Sequence, residues 1–236
     1  MIISHKHKFI FIKTAKTAGT SIEVFLSRHC AADDVVTPIG PPVEGHVPRN
    51  YKALFNPLPE ILAAANQPRH AWSDFIARKK FYNHMTALLV KSRVRARVWR
   101  TYFKFAVERN PWDKVLSHYH MHAHRAGSLS LDQYFETGKF PVNFPRYTDR
   151  TGRDIIVDRI LRYEHLNTEL AEVFSQLNIP FDGSLGVRAK SEYRTERKPY
   201  QLVFNDAQRR IVEQVFAREI ELHGYRFEAE EAIASR

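Results

Sequence analysis

Cysteine is nearly absent from this sequence: Cys30 stands alone among 236 residues. An intrachain disulfide framework is therefore excluded, and nothing calls for an oxidising compartment. A lone thiol with no catalytic pattern around it reads as a packing residue. Long apolar runs are missing too. The run Phe9-Ile10-Phe11-Ile12 is hemmed in by lysines. It falls far short of the ~20 apolar residues of a membrane helix, or of a secretion signal's core. These absences lead us to expect a cytoplasmic chain with no integral membrane segment. Acidic residues are scarce relative to basic ones, 26 against 36, for a net charge of +10. That imbalance favours an anionic partner such as nucleic acid, nucleotide, acidic glycan or a membrane surface, and does not choose among them.

What is present is an ordinary globular composition, 44% hydrophobic and 26% charged, over a length that fits one domain spanning 1–236. Phe9–Ile12 and Tyr102–Val107 read as buried strands, and Ile155–Arg162 as a third. Helices are expected over Ser21–Ser27, from Pro111 to about Arg125, over Glu164–Leu177, and from Asn205 to His223-Gly224. Asn110 serves as a cap, Pro111 as a first helical residue, and Ser130–Gln133 as a capping box. Strands alternating with helices predict an α/β three-layer sandwich, with a central parallel sheet flanked by helices. Residues 33–59 carry six prolines and little periodicity, an irregular excursion. Residues 60–90 read as helical in pieces.

The chemistry begins after the first strand, in Lys13-Thr14-Ala15-Lys16-Thr17-Ala18-Gly19-Thr20-Ser21. A loop running into a helix N-terminus offers backbone N–H groups and a positive dipole end to an anion. Lys16 adds a charge, Thr17, Thr20 and Ser21 add hydroxyls, and Gly19 allows close approach. This is no Walker A loop, because the lysine precedes the glycine. An ordinary strand-to-helix turn is the plainer alternative.

Lys16-Thr17-Ala18-Gly19-Thr20-Ser21 resembles the 5′-phosphosulfate loop of sulfotransferases that use 3′-phosphoadenosine 5′-phosphosulfate (PAPS). The similarity is to the heparan- and chondroitin-type carbohydrate enzymes and their bacterial relatives, with Ala15 where proline is usual. Arg109-Asn110-Pro111 followed by Ser117 resembles the family's 3′-phosphate motif. Arg162-Tyr163-Glu164-His165-Leu166 and Phe216–Phe227 resemble later segments, so the similarity spans most of the chain and is weakest over 33–80. The resemblance implies a P-loop-like fold, PAPS as donor, PAP as product, no required metal, and a hydroxyl acceptor such as a glycan. It assigns the cofactor to Lys16, Thr17, Ala18, Gly19, Thr20, Ser21, Arg109, Ser117 and Arg194, and the acceptor pocket to the 33–80 excursion.

Sulfuryl transfer requires a base for the acceptor hydroxyl, and histidine suits neutral pH. In Asn83-His84-Met85-Thr86-Ala87 the resemblance points to His84, with Lys16 stabilising the leaving phosphate. His46 and then His70 are the next candidates. His118, His120, His122 and His124 have no carboxylate nearby, so we expect no metal there. Lys91–Arg100 holds five basic residues in ten. It is either a rim for an acidic acceptor or a solvated face. A P-loop-like kinase or hydrolase, or a nucleic-acid-binding protein, are the competing readings; the motifs of the latter are absent.

Overall fold

A computed structural model describes residues 1–186 and 198–228. Arg194 lies outside the described residues. The chain falls into two compact units, one formed by 1–108 with 143–189 and the other by 109–142 with 190–236.

The first unit is a mixed α/β fold around a five-stranded sheet. Strands β1 (Ile2–Ser4), β2 (Phe9–Phe11), β3 (Val35–Val36), β4 (Phe103–Glu108) and β5 (Arg159–Arg162) lie in the order β3-β1-β2-β4-β5. Helices α1 (Gly19–His29), α2 (Leu58–Leu62), α3 (Pro68–Ile76), α4 (Ala87–Arg93) and α5 (Ala96–Thr101) precede β4. The second unit follows with α6 (Pro111–Ala126) and α7 (Leu131–Glu136), and the chain re-enters the first through α8 (Phe144–Tyr147) and α9 (Leu166–Gln176). α10 (Asp206–Val215) and α11 (Ala217–His223) complete the second unit.

The expected parallel sheet is found only for β2–β4–β5, with Phe11 opposite Phe105 and Val107 opposite Leu161. β1 runs antiparallel to both β2 and β3, so the sheet is mixed. The reason is local. His5–Lys8 is too short a connection for a crossover, so Ile2–Ser4 folds back as a hairpin partner. β3 lies inside the segment read as irregular, because two residues are too few to show a period.

Alternation along the strands builds two cores. Phe9, Phe11, Phe105, Val107 and Leu161 pack with Ile22, Phe25 and Leu26 of α1 and Leu170, Val173 and Phe174 of α9. Ile10, Ile12 and Ala106 face the other way, against Met85, Leu89, Val90 and Tyr147. Helices therefore cover both faces. β5 is shorter than expected, because Ile155 is spent on an isolated bridge to Thr148.

In the second unit the end signals act as the sequence predicts. Asn110 caps α6 by accepting from Trp112 N and Asp113 N, Gly127 follows its last turn at φ 76°, and Ser130 with Gln133 forms a capping box on α7. Asn205 and Gln208 do the same for α10. The last expected helix is two, divided at buried Phe216 with φ −107° and ψ 21°. Among the described residues no helix is long and apolar enough to cross a membrane.

Candidate functional site

The loop between β2 and α1 is held from below by side chains distant in sequence. Thr14 Oγ1 donates to the Val107 carbonyl on β4 and shares a 2.8 Å bond with Thr17 Oγ1. Fully buried Asn143 grips Ala15 at two points, accepting from its N–H at 2.8 Å and donating to its carbonyl at 3.0 Å. Glu108, at the end of β4, accepts from Asn143 Nδ2 at 3.2 Å and from the Tyr147 hydroxyl at 3.0 Å. The loop is thereby pinned to the carboxyl end of β4, the edge at which open α/β sheets place their ligands.

The backbone that results is unusual. Lys16 and Ala18 take φ of 63° and 56°, while Thr17 between them does not. Left-handed backbone at a residue with a Cβ costs about 1–2 kcal/mol. It persists here because Asn143 and Thr14 over-determine the loop. Alternation of this kind turns successive N–H groups toward one concave side, the geometry of an anion nest. α1 begins directly after it. Its N-cap, Ala18, has no side-chain cap bond, and its first turn has no acid. α6 by contrast is capped by Asn110 and carries Asp113. The positive end of the α1 dipole therefore receives neither a side-chain cap from Ala18 nor an acid from its own first turn.

Gly19 answers to an internal neighbour. A Cβ there would sit 2.8 Å from Cγ of Lys13 and 3.3 Å from the Thr14 carbonyl. Lys13 runs across this glycine to a buried salt bridge, Nζ to Glu23 Oε2 at 2.7 Å. The other Glu23 oxygen accepts from the Met1 amino group at 2.6 Å and from Thr37 Oγ1 at 2.9 Å, with His46 Nε2 at 3.9 Å. Burial pushes the Glu23 carboxyl upward, but the ammonium groups of Met1 and Lys13 hold it below its ordinary range.

His84 joins this loop. Its Nδ1 lies 3.2 Å from the Lys13 carbonyl. A carbonyl only accepts, so Nδ1 carries the proton and Nε2 carries a lone pair. Arg146 Nη1 donates to the His84 carbonyl, which fixes a residue at φ 58° just before the Thr86 cap of α4. Burial first, then the charges of Lys13 and Arg146, lower the His84 imidazolium to about 3. The sign follows from linkage. The folded protein keeps this ring neutral, while the unfolded chain takes up a proton below its ordinary 6.5. The stabilising contribution is complete above that value and is lost as pH falls toward 3. Urea unfolding between about pH 4 and pH 7 is expected to show an acid limb that His84→Asn flattens by ~1.4 kcal/mol per pH unit. An equally steep limb in the variant would assign the proton elsewhere.

The first unit thus brings the Lys16–Ser21 loop and His84 together through Lys13. Thr17 and Ser21 are buried, and Lys16 and Thr20 are half-buried. His46 reaches the Glu23 cluster instead, with burial lowering its pKa. His70 lies exposed on α3. In the second unit, Arg109 sends Nε to Asp113 Oδ2 at 2.9 Å, with Nη2 on the same oxygen. Ser117 lies half-buried on α6. His118 bonds the Tyr134 hydroxyl at 2.8 Å and His122 at 3.2 Å. Among the described residues no group of three or more His, Cys, Asp or Glu is placed to hold a metal. A cleft of about 470 Å³ lies by the other end of α1, beside Phe25, Arg28 and Phe181, and includes none of these groups.

Sequence reading missed Lys13, Glu23, Asn143 and Arg146. Glu23 carried a signal, an acid inside the otherwise apolar run Ile22–Leu26. Asn143 and Arg146 carried none, since the backbone groups they hold, at Ala15 and His84, are 128 and 62 residues away.

No protein-family model matches the sequence. The chain is similar to an uncharacterized protein of Archaeoglobus fulgidus, 32% identical over 117 residues, which are 47% of this chain and 98% of that protein.

Proposed function

For a chain that belongs to the same family as this uncharacterized archaeal protein, we propose a PAPS-dependent sulfotransferase with a P-loop-like nucleotide site and a hydroxyl acceptor, a carbohydrate or glycoconjugate. The observation that carries the reading is the nest at Lys16–Ala18 feeding an α1 without a side-chain cap at Ala18, with His84 tied to the same loop through Nδ1–H so that Nε2 keeps its lone pair.

The residues divide the work as follows. The amides of the nest, with Thr20, Ser21 and the α1 dipole, hold the 5′-phosphate of the donor. Lys16 neutralises the charge that appears on its departing oxygen. His84 Nε2 takes the hydroxyl proton of the acceptor as the acceptor oxygen bonds sulfur and the sulfur–oxygen bond to the 5′-phosphate breaks. Positioning and charge stabilisation dominate such an in-line transfer. A ring with a pKa near 3 is a weak base in the free protein. An anion held at the loop offsets Lys13 and Arg146 and raises its basicity only when the donor is in place. Arg109 and Ser117 are the residues that the resemblance gives to the 3′-phosphate. A guanidinium offers a planar fork of N–H donors that matches a phosphate.

Calorimetry with 3′,5′-adenosine diphosphate, ATP–Mg²⁺ and duplex DNA tests the reading. The bisphosphate is expected to bind most tightly, and His84→Ala to keep that binding while turnover of labelled PAPS over a glycan panel falls ~10²-fold or more. Tight ATP–Mg²⁺ binding with none of the bisphosphate would favour a kinase or hydrolase. Wild-type turnover in His84→Ala would remove the base assignment.

A further inference from the structure

The surface formed by α2 and α3 is built around one buried cation. Arg93, at the end of α4, sends Nε and Nη2 to the two oxygens of Glu60 on α2, at 2.6 and 3.0 Å, and Nη2 to Asp74 on α3 at 2.8 Å. Both short helices therefore turn the faces bearing those acids inward. Two residues along a helix is a rotation of ~200°, so the positions two before and two after each acid point away. On α2 these are Leu58 and Leu62, 51% and 85% exposed. On α3 they are Trp72 and Ile76, 47% and 79% exposed. Large apolar side chains this exposed, paired at four-residue spacing on adjoining helices, form a patch and not scattered singles.

Charge around the patch is mostly positive. Glu60 and Asp74 are the only acids between 51 and 107, and both bond Arg93, whose single charge offsets one of them. Exposed Arg69 stands three residues before Trp72 on the same stripe of α3, and exposed Arg78 and Lys79 follow its end. Exposed Lys91, Arg95, Arg97 and Arg100 continue the series on α4 and α5. No ion pair is formed by any of these seven among the described residues. Burial, then the charge of Arg95, lowers the pKa of Lys80 beside this series.

We propose that the outward face of α2 and α3 docks on an anionic lipid bilayer, with Leu58, Leu62, Trp72 and Ile76 entering the headgroup boundary and Arg69, Arg78 and Lys79 engaging the lipid phosphates. The combination decides the occupant. A polyanionic glycan or nucleic acid would use the cations and leave the leucines in water. A second copy of this chain would set the same positive patch against itself. Apolar side chains with an amphipathic tryptophan and flanking Lys and Arg match the boundary of an acidic membrane. The inference stands apart from the donor reading and survives its failure.

The test is flotation of the full chain with vesicles of phosphatidylcholine alone or with about 30 mol% phosphatidylserine. Binding is expected to the acidic vesicles, at least ~10-fold tighter than to the neutral ones, weakened by salt, with a blue shift of Trp72 fluorescence. Leu62→Ser/Ile76→Ser is expected to abolish it while the urea midpoint stays that of the parent, since both side chains are already in water. Arg69→Glu/Lys79→Glu is expected to remove the preference for acidic vesicles. No flotation with either vesicle would overturn the proposal, as would undiminished flotation of the serine variant. A dimer that the serine changes dissolve, in a protein indifferent to vesicles, would reassign the face to self-association.

Discussion

Arg93→Met is expected to destabilise the protein by about 3–5 kcal/mol, the cost of removing one partner from a buried ion pair. All five guanidinium N–H donors are used: Nε and Nη2 on Glu60 and Asp74, and Nη1 on the carbonyls of Lys79 and Lys80 at 2.8 and 3.1 Å. The plane also lies over the Phe55 ring, 4.1 Å from its centroid. Methionine fills much of the volume and supplies none of the donors. Glu60, itself fully buried, would be left charged without a counter-ion. Lysine is no remedy, since a point charge with three donors cannot span two carboxylates and two carbonyls. Urea unfolding measures the loss. Glu60→Leu combined with Arg93→Met is expected to recover part of it, because the uncompensated carboxylate is gone. A loss under ~1 kcal/mol in the single variant would mean that the cluster is solvated and weak.

Lys13→Met is expected to cost about 3 kcal/mol and to disturb His84 at the same time. Glu23 would keep the Met1 amino group and Thr37 but lose the 2.7 Å contact that neutralises its second oxygen. One of the charges that, after burial, depress the His84 imidazolium would be gone, so that ring is expected to titrate at higher pH in the variant. Denaturant titration gives the first effect, and NMR of the ring the second. Stability lost with no movement of His84 would show that burial and the Arg146 charge keep the imidazole neutral without Lys13. The same lysine explains Gly19: the site needs no side chain at that position because the Lys13 stem lies across it.

The two substitutions show where sequence reading ran out. Lys13 and Lys16 stand in the same loop, and the flanking residues give no reason to prefer Lys13 as the buried one. The choice is made by Glu23, one turn into α1, together with Thr37 and the chain start. Arg93 sat inside a basic run of apparently equivalent residues, and only packing of α2 and α3 against α4 singles it out from exposed Arg95, Arg97 and Arg100. The histidine proposed as base was legible as a candidate. Its tautomer was not, because that depends on a carbonyl 71 residues away.

The sequence by itself determined the strand–loop–helix opening, the caps at Asn110, Ser130 and Asn205, and the alternation that gives the sheet two apolar faces. Each of these depends on groups within about four residues of one another, where backbone geometry leaves few choices. Tertiary structure decided the antiparallel half of the sheet, the identity of the buried cations, the left-handed turns at Lys16, Ala18 and His84, and the exposed face of α2 and α3. These are settled by which distant carboxylate or carbonyl a side chain meets. A buried charge must find its partner wherever the fold brings one, at whatever separation in the chain.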